Sequence, residues 1–398
     1  MEGLSSCPRK PLHAQRPLHG SDVSVYLRFL LAVLPILLTG VDARADSWQS
    51  AASLNTARAA HTATLLQSGQ VLVVGGRGVG TNVVLSSAEL YDPVSNTWQP
   101  TGSLATARYG AAATLLGSGK VLVVGGTDDT FQATASAELY DPAAGTWSDG
   151  GTMAVPRAGH TASYLVSGNV IVAGGFAGND IYASAELYTI SANFWSPIAD
   201  MNAARADHAA AVLSNGAILV AGGDDSSFAP TNTAEIYDPN QLSWIAAGSM
   251  ATARVIPAMT ELANGSLLVT GGADATFNSI ASAERYDPGS DAWSSASSMA
   301  TARNSHTATL LNSGQVLVAG GLGSSTTFAS AELYDPASNT WNSASPMQTA
   351  RRVHTATLLN SGQVLVTGGY SATDPIDSTE LYSPSPTDEI FADGFDGD

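Results

Sequence analysis

Thr301-Ala302-Arg303-Asn304-Ser305-His306-Thr307-Ala308-Thr309-Leu310-Leu311-Asn312-Ser313-Gly314-Gln315-Val316-Leu317-Val318-Ala319-Gly320-Gly321 decides the fold, together with Ala331-Glu332-Leu333-Tyr334-Asp335-Pro336 and Trp341 downstream. The residues after Arg303 alternate as a first strand, a. The Ser313-Gly314 step predicts a tight hairpin into a second strand, b, at Val316-Leu317-Val318. That strand is apolar on both faces, which suits a strand covered on both sides. A third strand, c, is Ala331-Glu332-Leu333-Tyr334. An Asp-Pro turn leads to a fourth, d, which carries Trp341.

The unit recurs along the chain. Double glycines begin at Gly75, Gly125, Gly174, Gly222, Gly271, Gly320 and Gly368, at spacings of 50, 49, 48, 49, 49 and 48. All the tryptophans keep the same beat: Trp48, Trp98, Trp147, Trp195, Trp244, Trp293 and Trp341. So do an arginine (58, 108, 157, 205, 254, 303, 351) and a tyrosine (91, 140, 188, 237, 286, 334, 382). Four short strands in a unit of about 50 residues predict a propeller blade. Trp48 has no tyrosine before it and Tyr382 has no tryptophan after it. The sequence therefore predicts an all-β, seven-bladed propeller of four-stranded blades, with the N-terminal strand around Trp48 completing the blade begun at Arg351, so that no sheet edge is left free.

The double glycine, the tyrosine and the tryptophan seven residues beyond it resemble the kelch family, from Trp48 to Tyr382. The resemblance implies β-propellers that are often binding modules and sometimes enzymes. Several kelch domains use arginines near the repeated position to hold acidic ligands.

Composition narrows the partners. The 398 residues hold 16 Lys+Arg against 34 Asp+Glu, a formal charge of -18. This disfavours nucleic acid and anionic lipid, which need a basic footprint. A basic stretch (Arg9, Lys10, Arg16, Arg28), the apolar run Phe29–Val41 and Ala43-Arg44-Ala45 read as a signal peptide over 1–45, because 13 apolar residues are too few to span a bilayer. Its removal takes away five basic and three acidic residues and leaves 11 and 31. The mature chain is expected to be exported to the periplasm, cell surface or medium. No transmembrane segment and no cysteine are expected in it, since Cys7 is the only one. The propeller is expected over 46–383. Residues 384–398 read as a Pro/Ser linker and an acidic tail, with sorting, surface attachment or solubilisation as its alternative roles.

The ligand face follows from strand alternation. The a–b and c–d turns share one face and keep constant lengths. Length varies only between Gly-Gly and Ala-Glu-Leu, in the b–c loops, which share the other face with the d–a junctions and the arginines. A ring of arginines could cradle anions. A glutamate recurs with it (89, 138, 186, 235, 284, 332, 380), so a structural pair is the expected majority role. Departures from the repeat mark the ligand candidates: Arg205 with Asp207, Arg254, Arg351 doubled by Arg352, and the aromatics Tyr109, Tyr182 and Tyr370. Loop aromatics with nearby aspartates (Asp128, Asp129, Asp180, Asp224, Asp225, Asp274, Asp374, Asp377) suit sugar rings, whereas the alignment of Phe131, Phe228 and Phe277 gives packing as the alternative reading. Glu261, in a slot otherwise apolar, is the candidate catalytic carboxylate. His61, His160, His208, His306 and His354 each stand three after the arginine and are read as packing residues, so no metal and no cofactor are expected.

No hydrolase, zincin or P-loop motif is present. Among kelch-type enzymes, the secreted copper oxidases need a cysteine that this mature chain lacks. A sugar mutarotase or isomerase, which needs only a carboxylate, an arginine and a pocket, stays open. The expected function is a monomeric, secreted binding or scaffold module for a protein, a glycan or an anionic metabolite. The alternatives are that mutarotase-type enzyme and a structural surface protein attached through its tail.

Overall fold

The computed structural model describes residues 45–385; the expected leader up to residue 44 and the tail from residue 386 lie outside them. Seven four-stranded antiparallel sheets form the ring, and a two-residue hairpin pair (Phe176–Ala177 with Asp180–Ile181) decorates the third b–c loop. In the first blade, strands a to d are Thr62–Leu65, Val71–Val74, Ala88–Asp92 and Thr97–Thr101. The innermost a strands of neighbouring blades contact one another around the channel.

Strand b shows why the blades must stack. All four residues of Val71–Val74 are buried. Val71 and Val73 pack with Leu359 and Leu365 of the seventh blade, and Leu72 and Val74 pack with Val121 and Val123 of the second. Successive side chains of a strand point to opposite faces, so each blade needs a neighbour on both sides. The a–b hairpin turns at Leu66–Gly69, where the Gly69 N–H donates to the Leu66 carbonyl (2.9 Å) with Gly69 at φ +84°. A left-handed residue at that point is what glycine supplies without strain.

Each blade is braced from inside. Arg58 is fully buried. Its Nη1 donates to the carbonyls of Gly75 (2.7 Å) and Ser87 (3.0 Å), and its Nη2 to Glu89 Oε1 (2.8 Å). Glu89 in turn accepts the N–H groups of Asn55 (2.7 Å) and Thr56 (3.1 Å). One ion pair thus ties the end of strand b, the start of strand c and the d–a loop. The same pair recurs in every blade at 2.7–3.1 Å. The arginine backbone also joins neighbours. The second glycine of each pair donates to the arginine carbonyl of the next blade, from Gly76 to Arg108 (2.8 Å) round to Gly369 and Arg58 (2.8 Å).

The histidines lie between blades. His61 Nε2 meets Thr355 Oγ1 (2.9 Å) and Thr367 Oγ1 (3.0 Å) of the seventh blade, and His208, His306 and His354 reach Thr161, Thr270 and Thr307 of their preceding blades. Burial, reinforced by the nearby arginines, pushes His61, His160 and His306 down to about 3 and lowers His208 and His354 as well.

The N-terminal strand Ser47–Ser50 lies against Thr379–Ser383 in the register Trp48↔Tyr382. The Trp48 ring is 5.1 Å from Tyr382, its Nε1 donates to the Ser345 carbonyl (2.7 Å), and the Tyr382 hydroxyl donates to Asp46 (2.9 Å). Tyr91 and Trp98 are related in the same way within the first blade, at 5.1 Å.

Two outcomes follow from this packing. Trp48→Ala should destabilise the protein by about 3–5 kcal/mol in urea unfolding, whereas deleting 387–398 should leave the midpoint unchanged; the reverse pattern would contradict the closure. The histidines bind protons less readily folded than unfolded, where they titrate near 6.5. Their contribution is complete above about pH 6.5 and is lost as pH falls towards 3. Unfolding at pH 5 should therefore take up protons, and His61→Gln should flatten the stability–pH slope. A midpoint constant between pH 7 and 4.5 would contradict this.

Candidate functional site

The d–a and b–c face of the channel is built from two positions per blade. The residue after the buried arginine forms an isolated antiparallel bridge with the residue after the double glycine. These pairs are Ala59/Arg77, Tyr109/Thr127, Ala158/Phe176, Ala206/Asp224, Val255/Ala273, Asn304/Leu322 and Arg352/Tyr370. The next residue turns left-handed in every blade, with φ between 51° and 61° at Ala60, Gly110, Gly159, Asp207, Ile256, Ser305 and Val353. Such a φ is costly for branched Ile256 and Val353. What holds it is a set of backbone bonds between neighbouring blades. The N–H groups of Gly110, Asp207, Ile256 and Val353 donate to Ala60, Gly159, Asp207 and Ser305 of their preceding blades, and Ala60 donates to Val353, at 2.8–3.1 Å. The mouth is therefore framed by main chain, and its side chains are free to differ.

Chemistry is concentrated on one arc of that mouth. The Arg352 guanidinium lies over Tyr370 (5.2 Å), and that of Arg77 lies over Tyr109 (5.1 Å) and Phe131 (5.4 Å). Burial raises the Tyr370 hydroxyl, against the opposing pull of Arg77 and Arg352. Arg352 donates to the Ala372 carbonyl only at 3.4 Å, and its buried Nε has no protein partner. A cleft of about 600 Å³ opens beside Arg352, between the b–c loops of the sixth and seventh blades. The fourth blade carries the opposite charge. Burial and the neighbouring Asp224 push Asp207 up to about 6, and burial raises Asp224, whose buried Oδ1 has no protein partner.

Several expected contacts are placed otherwise. Arg205, Arg254 and Arg351 are as buried as the other four and pair with Glu235 (2.8 Å), Glu284 (2.7 Å) and Glu380 (2.7 Å). They do not line the mouth, because each guanidinium is buried and its Nη groups are held by the carbonyls and carboxylate of its own blade. Tyr182 lies 5.8 Å from the Arg157 guanidinium and covers that brace. Glu261 is exposed at the end of strand a, paired with Leu267 next to the a–b turn, and so belongs to the opposite face with no ring arginine beside it. Asp128, Asp225 and Asp274 are engaged in their own loops, accepting N–H groups two and four residues ahead. Phe131, Phe228 and Phe277 share a left-handed φ of 58–63° in those loops and remain 37–63% exposed. Tyr109, Tyr370, Arg352 and Asp207 do stand at the mouth. Asp224 is one of the loop aspartates expected near a sugar; Arg77 is not among the expected contacts, and it occupies the slot after Gly-Gly, which differs in every blade (Arg, Thr, Phe, Asp, Ala, Leu, Tyr).

Among the described residues, no three His, Cys, Asp or Glu side chains converge as metal ligands, and no helix is long and apolar enough to cross a membrane.

Comparison with known proteins gives the same architecture. The attractin/LZTR1 β-propeller profile matches residues 183–386, and the KLHDC2/KLHL20/DRC7 kelch-repeats domain matches residues 60–253. No curated protein sequence matches the chain. Among solved structures, a fungal alcohol oxidase of the AA5 family, in complex with copper, superposes with a TM-score of 0.70 at 17% identity, covering 86% of this chain and 77% of that one. That likeness is one of fold. The repeat, its seven closed blades and the profile matches agree that this chain belongs to the kelch-repeat β-propeller family.

Proposed function

We propose that the chain is an exported kelch binding module that holds an anionic ligand over Arg77, Tyr109, Arg352 and Tyr370 at the channel mouth. One observation carries the reading. Residues 46–398 contain 11 basic side chains. Seven are buried against glutamates, Lys120 pairs with Asp141 (3.2 Å), and Arg285 acts on Asp287 and Tyr334. Arg77 and Arg352 have no ion pair among the described residues, and they stand on the adjacent first and seventh blades, linked by the bond from the Ala60 N–H to the Val353 carbonyl, in a protein whose net charge is -18. A guanidinium attracted to an aromatic face rather than to a carboxylate keeps its charge for an oxyanion. Export rests on the leader at 1–45.

The mutarotase alternative has less support, since Glu261 lies on the other face. A carboxylate route would have to run through Asp207, whose own arginine, Arg205, is buried. In a binding screen of carboxylated, sulfated and neutral ligands, an anion should be retained. Arg77→Gln and Arg352→Gln should each weaken it by about tenfold or more, as expected for a charge-assisted hydrogen bond, with melting temperature unchanged. Glu261→Gln should bind as the parent does. Equal losses in all three variants, or no anion bound at all, would refute the site.

A further inference from the structure

We infer that the ligand is an acidic polysaccharide, bound along the arc of the sixth, seventh, first and second blades; this rests on the anion site proposed above. Two features point to a chain of charged sugars rather than to a small anion. The first is duplication. Arg352 over Tyr370 and Arg77 over Tyr109 are two similar cation–aromatic stacks on adjacent blades, at 5.2 and 5.1 Å. Two guanidiniums on adjacent blades without carboxylates call for more than one negative charge, which a chain of charged units supplies.

The second feature is the lining of the adjoining cleft. Its volume of about 600 Å³ falls within the usual range of small-molecule sites, about 300–1,000 Å³. Ser325, Thr326, Thr327, Ser371 and Thr373 line it, with Arg352 in its wall. Short hydroxyls both donate and accept, as the hydroxyls of a sugar require. Arg352, in the wall of that cleft, brings a guanidinium without an ion pair to a carboxylate or sulfate there. Tyr109 and the partly exposed Phe131 then offer apolar faces to a following ring. Asp207 and Asp224 set the path: they repel an anionic chain from the fourth blade and keep it on the cationic arc. An acidic peptide would use the same guanidiniums but would leave the hydroxyls of Ser325, Thr326, Thr327, Ser371 and Thr373 with fewer partners than a sugar does.

The full secreted chain should be titrated calorimetrically with oligouronates of one to six units, sulfated galactan oligosaccharides, neutral oligosaccharides of equal length, hexaglutamate and inorganic sulfate. Affinity for at least one acidic series should rise about tenfold or more between one and four units, with neutral sugars unbound; the series that binds identifies the charged group. Arg77→Gln and Arg352→Gln should each flatten that length dependence. Hexaglutamate binding more tightly than any glycan, or affinity independent of length and matched by sulfate, would overturn the polysaccharide while leaving the anion site standing. Binding to none of the anions would remove both.

Discussion

A guanidinium that never meets solvent organises every blade. It enters from the d–a loop, satisfies carbonyls at the end of strand b and beside strand c, and meets a glutamate that in turn caps the N–H groups of the loop it came from. Desolvating a charged pair is expensive, and attraction alone does not offset it. Here the Nη donors and the carboxylate oxygens also satisfy main-chain groups that would otherwise be buried and unpaired. The brace thus solves two problems together, and this accounts for its presence in all seven units although its own pairing is neutral in net charge.

Because the brace and the backbone bonds between blades at Ala60, Gly110, Gly159, Asp207, Ile256, Ser305 and Val353 hold the mouth without help from its side chains, the two slots beside them can vary without loss of fold. Function in this protein lies in those slots. They are cationic and aromatic from the seventh to the second blade, acidic at Asp224 on the fourth and apolar at Val255 and Ala273 on the fifth. The acidic remainder of the chain sharpens the contrast, since Arg77 and Arg352 stand out against a net charge of -18.

The blades were legible because their causes are periodic. Trp98 packs on Tyr91, Gly75-Gly76 lets the next blade approach, and Val71–Val74 is apolar on both sides; each leaves a mark every 48–50 residues. Depth was not legible. Arg205 and Arg352 are both arginines near a strand start, yet one is sealed against Glu235 and the other stands at the mouth. Nothing in a neighbouring residue announces which, and the irregular company of Arg205, Arg254 and Arg351 pointed the wrong way. The left-handed turn after each arginine was equally hidden, since only Gly110 and Gly159 hint at it while Val353 and Ile256 argue against it. Arg77 escaped notice because its slot varies in every blade, so a charge there breaks no pattern.

The central claim is that the repeated arginines are internal braces coupled to their glutamates, and a double-mutant cycle on one such pair tests it most directly. Arg254→Met, Glu284→Met and the double variant would be compared by urea unfolding. The account predicts that each single change costs about 3–5 kcal/mol and that the double costs well below their sum, with a coupling of about 2 kcal/mol or more. Single costs near zero, or strictly additive losses, would mean that the pair is not what holds the blade.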